Sequence, residues 1–365
     1  MRYVDEFKDR ILIKRVLSEI DDLGLNKEIR LMEVCGTHTM SVHRHGIPTL
    51  LPRNLKLISG PGCPVCVTPN DYIDTAVEYA RLKDCIVVTF GDMLKVPGSN
   101  SDLQLEKANG GNVEVVYSAL DAVKLAQAIP EKKVIFLGIG FETTAPTIAA
   151  SILEARNRNI KNYFVFSAAK TMPPPLKALA EDEEIGIDGF ILPGHVSTII
   201  GSKAYEFIAD DYRIACVIAG FEPFSILEGI YMLALQIKEG TPKVQIQYKW
   251  VVKPEGNPKA REILYEVFEP CDCKWRGLGL IEESGLRIRD EYKLFDAEAN
   301  IKIRTERPIE RKGCICGEII KGKKLPMDCG LFGKTCIPES PHGPCMVSSE
   351  GTCSAYYKYG GRDWL

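Results

Sequence analysis

Short β-branched runs alternate with helical stretches through the first two thirds of this chain, and that alternation is its strongest constraint on fold. The runs are "RLMEV", "LKLIS", "CIVVTF", "VEVVYS", "KVIFLGI", "YFVFSA", "GFILP" and "IACVIAG". Helical patterns fall between several of them, as at 69–82 and 145–158, which predicts βαβ units and a largely parallel sheet. At 365 residues the chain is too long for one ordinary core. The expectation is an α/β protein with two similar parallel-sheet domains, 1–125 and 126–240, and a C-terminal irregular domain over 241–365. An amphipathic helix precedes them, apolar at Val4, Phe7, Ile11, Val16, Ile20 and Leu23 and ending near Gly24. Two segments, "VIFLGIGFETTAPTI" and "IACVIAGFEPFSILE", both run strand, Gly-Phe-Glu and proline-containing helix entry, which hints at duplication.

The unusual residues follow these strands. "RLMEV" leads into Cys35-Gly-Thr-His38, "LKLIS" into Gly-Pro-Gly-Cys63, and "CIVVTF" into Gly91-Asp92. "VIFLGI" leads into Gly140-Phe-Glu142, "GFILP" into Gly194-His195, and "IACVIAG" into Phe221-Glu222. The carboxyl edge of a parallel sheet is where ligands bind. Glycines and caps alone would suit ordinary βα loops; cysteine, histidines and acids at the same edge point to a cleft. Glu142 and Glu222 could serve as general bases or simply hold that cleft together. Thr143 and Thr144 could line it or merely cap a helix. Cys35 reads either as a buried thiol or as a thiolate ligand or nucleophile, with His38, His43 and His45 following it.

A net charge of −3 offers no electrostatic case for nucleic acid. No run approaches the roughly 18 unbroken apolar residues of a membrane span, and the charged N-terminal segment shows no signal-like apolar core. A cytoplasmic location is expected, and there thirteen cysteines argue for metal binding or thiol chemistry rather than disulfides. Cys63 and Cys66 form a Cys-Pro-Val-Cys turn ahead of a helix, with Thr68 expected as N-cap and Pro69 at the first helical position. That placement favours a thiolate, and a reversible redox pair fits better than half a zinc site, because no second such pair stands nearby. Six cysteines lie between Cys314 and Cys353. Cys329, Cys336, Cys345 and Cys353 are separated by six, eight and seven residues on glycine- and proline-rich loops, a pattern suited to a 4Fe–4S cluster. Cys314 and Cys316 would then form a second redox pair, while Cys271 and Cys273 have no assigned role. Gly333-Lys334-Thr335 imitates the end of a phosphate-binding loop, but Asp328 stands where its first glycine belongs.

Together, "CGTHT" (35–39), "GPGCPVC" (60–66), "GFETTAPT" (140–147), "PGHVS" (193–197), "AGFEPF" (219–224) and the C-terminal cysteine series resemble the HypD family of NiFe-hydrogenase maturation proteins. The resemblance spans nearly the whole chain. It implies two α/β domains and an iron–sulfur domain similar to that of ferredoxin–thioredoxin reductase, and action with the small chaperone HypC and the cyanide donor HypE. On such a complex an Fe(CN)2CO unit is built and passed to the hydrogenase large subunit. By the same resemblance Cys35 would hold the iron, and Cys63 and Cys66 would be the cleft's thiol pair. Cys329, Cys336, Cys345 and Cys353 would bind the cluster, and His38, Glu142, Thr143, Thr144, His195 and Glu222 would line the cleft. The alternative is an iron–sulfur-dependent thiol–disulfide oxidoreductase using Cys63 and Cys66.

Overall fold

A computed structural model describes residues 10–309 and 311–360. Its strands are β1 (Ile29–Glu33), β2 (Leu55–Ser59), β3 (Cys85–Thr89), β4 (Val113–Val115), β5 (Lys133–Gly140), β6 (Tyr163–Ala169), β7 (Gly189–Leu192), β8 (Ala215–Ile218) and β9 (Val244–Ile246). A hairpin of β10 (Phe268–Trp275) and β11 (Gly279–Ile288) follows. The first nine strands form two parallel sheets, one ordered β2-β1-β7-β8-β9 and the other β4-β3-β5-β6. All eight sequence-derived runs are therefore strands. Their central members are apolar along nearly their whole length because both faces are covered: β3 and β8 are buried throughout, and β5 everywhere except Lys133.

The sheets are not consecutive along the chain. After β2 the chain leaves the five-stranded sheet, builds the whole four-stranded sheet with β3–β6, and returns at β7. The expected boundary at 125/126 thus falls inside the four-stranded sheet, and that at 240/241 separates β9 from the sheet it completes. Pairing partners are set by tertiary packing, which local sequence texture does not carry. The two Gly-Phe-Glu motifs also occupy non-equivalent places, one ending β5 beside the centre of its sheet and the other ending β8.

Each sheet has one point where its strand order reverses direction: between β1 and β7 in one, and between β3 and β5 in the other. There the connections leave to opposite sides and open a crevice at the strands' carboxyl ends. Cys35 and His195 follow β1 and β7; Asp92 and Glu142 follow β3 and β5.

The helix Arg10–Asp22 buries Val16 and Ile20 against the five-stranded sheet and packs on the helix Pro223–Glu239; Val4 and Phe7 lie outside the described residues. The C-terminal segment contains short helices, of which Thr352–Tyr359 packs on Gly36–Arg44 and Pro344–Val347 on Pro64–Val67. It therefore covers both N-terminal cysteine motifs. No helix among the described residues is long and apolar enough to cross a membrane.

Candidate functional site

Cys35 is the N-cap of the helix Gly36–Arg44, in extended conformation straight after β1. The backbone N–H groups of Thr37 and His38 face its sulfur and favour a thiolate. Burial opposes them and dominates, with help from the nearby Glu350 carboxylate, so the Cys35 thiol is pushed up to about 12. Glu350 is held in place by Thr37, whose Oγ1 donates to Oε1 at 2.5 Å.

His38 is fully buried. Its Nε2 lies 3.2 Å from the Ala219 carbonyl and 3.0 Å from that of Gly220, so Nε2 carries the proton and Nδ1 is a free, buried acceptor. Burial lowers its pKa to about 4, and the ring is neutral at physiological pH. Phe221 lies between two imidazoles, its centroid 4.5 Å from that of His38 and 4.1 Å from that of His195. Partial burial lowers His195, while the Glu350 charge acts the other way. Cys35 and His38 open the same helix, and Phe221 and Glu350 link them to His195, which is exposed. The His43 ring lies against that of Tyr356, tilted by 49° with centroids 4.1 Å apart, tying the C-terminal segment to the same helix.

The Gly-Pro-Gly-Cys loop lies directly on this motif. A Cβ on Gly62 would collide with the backbone of Cys35, and Gly36 N–H donates to the Gly62 carbonyl at 3.0 Å. Only glycine permits that approach. Cys63 caps the short helix Pro64–Val67, with its sulfur accepting from Cys66 N–H at 3.3 Å and lying 2.6 Å from Cys66 Sγ. The next helix starts at Asn70, with Pro69 as its N-cap. Thr68, expected to cap it, instead ends the Cys-Pro-Val-Cys helix and donates its hydroxyl to the Pro64 carbonyl at 2.8 Å. The tip of the β10–β11 hairpin secures this stretch. Arg276 donates from its backbone N to Val67 O, and from Nη2 to Thr68 O and Asn70 Oδ1, each at 2.8 Å.

Behind the pair the sulfurs continue. Cys345 is pulled well below an ordinary thiol because Cys316, Cys353 and Cys66 direct hydrogen bonds at its sulfur. Those contacts and burial raise Cys353; burial and the contacts with Cys345 and Cys63 raise Cys66. Cys314 hydrogen-bonds Cys316 and is raised by that contact and by burial. Gly343 leaves room for both, since a Cβ there would stand 2.5 Å from Cys316 Sγ and 2.8 Å from Cys314 Sγ. Cys336 accepts from His342 N–H at 3.3 Å and feels the charges of Cys314 and Cys316, while Cys329 Sγ lies 3.8 Å from Gly313 O. Of the four cysteines read as cluster ligands, Cys345 and Cys353 touch one another, and Cys316 joins them. Among the described residues no three Cys, His, Asp or Glu side chains form a ready site for a single metal ion.

The remaining predicted residues differ in burial. Glu142 is buried, accepts from Met172 N–H at 2.9 Å through Oε1, and is raised by burial to about 7. The buried Tyr205 phenol feels the charges of both Glu142 and Cys35. Thr143 and Glu222 are exposed, and neither Thr144 nor Glu222 makes a side-chain cap bond at its N-cap position. Sequence reasoning missed Glu33, Glu350 and Arg276. Glu33 is buried at the end of β1, accepts from Ser59 Oγ at 2.7 Å and is raised by burial to about 8. An acid inside the apolar run "RLMEV" was the available signal; Glu350 and Arg276 carried none.

The family described as "HypD: Hydrogenase formation hypA family" matches residues 11–360. The hydrogenase maturation factor HypD of Escherichia coli K12 is 44% identical over 368 residues, covering 98% of each chain. A putative hydrogenase expression/formation protein of Methanocaldococcus jannaschii is 43% identical, covering 96% of this chain and 98% of its own. The hydrogenase maturation factor HypD of Rhodobacter capsulatus is 42% identical and is covered to 99%, as is this chain.

Proposed function

The chain belongs to the HypD family of hydrogenase maturation factors, and on that premise we propose that it is a scaffold on which the Fe(CN)2CO unit of a NiFe-hydrogenase is assembled. The observation that carries this reading is the setting of Cys35: a buried thiol at a sheet switch point, at the start of the helix that carries His38 and against the Cys-Pro-Val-Cys loop. Iron bearing cyanide and carbon monoxide is a soft centre that thiolate suits. Because Cys35 rests as a thiol, loading iron displaces its proton, and loading strengthens as pH rises. His38 stays neutral and offers Nδ1 as the one unprotonated buried ring nitrogen of this group. A small HypC-type chaperone would contribute a second ligand, a HypE-type partner the cyanide, and the hydrogenase large subunit would receive the product.

The C-terminal thiols fit an iron–sulfur cofactor by their chemistry: more than four soft donors, most of them buried, in one apolar corner. Cys329, Cys336, Cys345 and Cys353 would hold a 4Fe–4S cluster, with Cys314 and Cys316 as the adjoining dithiol. Such a cluster supplies electrons one at a time. Cys66 touches both Cys63 and Cys345, so the thiol pair and the cysteine corner are in contact.

Infrared spectroscopy of the protein co-purified with its small chaperone tests the scaffold reading. Cys35→Ala is expected to lose the iron-bound cyanide and carbonyl bands while keeping the iron–sulfur absorbance. Bands that survive in this variant refute the assignment. The 2.6 Å contact between Cys63 and Cys66 also favours a second reading, a thiol–disulfide oxidoreductase; turnover of disulfide substrates without any partner protein would distinguish it.

A further inference from the structure

Cys271 and Cys273 lie on β10, away from the cleft. As residues i and i+2 they share one face of the strand, and the register with β11 shifts between them. In a straight strand the two Cα atoms would stand roughly 6.6 Å apart, near the upper limit for a disulfide. The facing residue is Gly285. A Cβ there would stand 3.1 Å from Cys271 Sγ and 3.3 Å from Cys273 Sγ, so the missing side chain makes room for both sulfurs.

Lys170 completes the group. It follows β6, bridges to Gly285 through its backbone, and is 1% exposed. Its Nζ donates to Cys273 Sγ at 2.7 Å and to the Lys274 carbonyl at 2.8 Å, and sits 5.2 Å from the Trp275 ring centre. An ammonium has donors only, so the sulfur is the acceptor. Among the described residues its hydrogen-bond partners are a sulfur and a carbonyl, with no carboxylate. Both cysteines are partly exposed residues, and Cys273 lines an open cavity of about 290 Å³ with Asp71, Tyr72, Phe166 and Lys170.

We propose that Cys273 and Cys271, with Lys170 beside Cys273, form a thiol–disulfide exchange site separate from the Cys35 cleft. Cys273 attacks one sulfur of a disulfide, RS–SR, and makes a mixed disulfide; the first RS leaves as a thiol with the proton Cys273 gave up. Cys271 then attacks the Cys273 sulfur, and the second RS leaves with the Cys271 proton. The substrate disulfide is reduced by two electrons to two thiols, and the chain is oxidised to a Cys271–Cys273 disulfide. Lys170 supplies the fixed positive charge beside the sulfur that attacks. Burial and the neighbouring Cys273 raise Cys271, which suits a resolving thiol that stays protonated until the mixed disulfide forms. Arg287 and Lys170 act on it in the opposite sense, and Asp272 in the same sense as Cys273.

The test equilibrates the anaerobically purified full chain with glutathione buffers of increasing oxidised fraction, followed by alkylation and peptide mass mapping. Cys271 and Cys273 should become protected together, their peptide lighter by two hydrogens. Cys271→Ser should accumulate a glutathione adduct on Cys273, whereas Cys273→Ser should leave Cys271 largely unmodified. Lys170→Met in the Cys271→Ser background should slow adduct formation about tenfold, since the thiolate is the attacking species; if that variant does not melt cooperatively, the two serine variants decide alone. A parallel arm with an oxidised thioredoxin-type protein separates a protein disulfide from a small one, and reaction with either supports the site. Two cysteines that stay fully alkylated throughout, or an adduct that forms on Cys271 instead of Cys273, would overturn it.

Discussion

The Cys35 sulfur is set by a contest whose terms have different sizes. A helix N-terminus favours an anion by about 0.3–1 kcal/mol, and up to about 2 kcal/mol when partly buried. The net rise from 9.0 to about 12 corresponds to about 4 kcal/mol in the other direction. Burial therefore wins, and Glu350 is the one contributor that a single substitution can remove without changing shape. Glu350→Gln is expected to lower the Cys35 pKa and to speed its alkylation at pH 9 by roughly threefold to tenfold, the effect of half to one pKa unit. Rates measured by quenched alkylation and peptide mapping check this, and an unchanged or slower rate would remove Glu350 from the account. Some of this was legible in the sequence and some was not. A cysteine after a strand and before a helix could be read directly from "RLMEVCGTH". Glu350 could not, because it reaches Thr37 from more than 300 positions away along the chain. Thr143 and Glu222 are the converse case: position after a strand put them at the carboxyl edge but did not say how exposed they would be.

Among the elements, the hairpin of β10 and β11 has a role that its own sequence hides. Its tip carries Arg276, 7% exposed, into the stretch that follows the Cys-Pro-Val-Cys pair. Removing the guanidinium would leave Thr68 O and Asn70 Oδ1 buried without that partner. Hydrogen bonds from a charged group contribute about 1.5–3 kcal/mol each, so Arg276→Ala should destabilise the protein by about 3 kcal/mol or more. Denaturant titration gives the stability, and alkylation of Cys63 and Cys66 should accelerate in the same variant. If the midpoint falls but the two thiols react at the wild-type rate, the hairpin supports the fold without holding the loop. The strands were readable because apolar β-branched runs mark buried parallel strands wherever they pair. Helix starts were less readable. Thr68 has the chemistry of a cap, but Pro64 opens a short helix one turn earlier and takes that hydroxyl for its own carbonyl.

At the scale of the whole molecule, the order of strands places a buried carboxyl at the functional edge of each sheet: Glu33 at the end of β1 and Glu142 just past β5. That coincidence was illegible beforehand, because β1 meets β7 only after the chain has built another sheet between them. It has a measurable consequence. Glu142 has an ordinary pKa of 4.5 when exposed and about 7 in the fold, raised by burial. The fold thus favours its protonated form. The stability this contributes is complete below about 4.5 and is lost as pH rises through 7, a change of about 3 kcal/mol at most. Glu33 adds a change of the same sign that extends to about pH 8. His38 and His43, which burial lowers to about 4, act in the opposite sense between about pH 4 and 6.5, so denaturation midpoints should fall from about pH 6.5 to pH 8. Glu142→Gln keeps an oxygen for Met172 N–H but has no charge to bury, so it should flatten the part of this fall below pH 7 and be more stable than the parent at pH 8. Above about pH 6.5, where the two buried histidines no longer titrate, the remaining slope belongs to Glu33. A variant whose midpoint falls with pH as steeply as the parent's would mean that Glu142 ionises freely in the fold, through water or movement that lowers the cost of burying its charge.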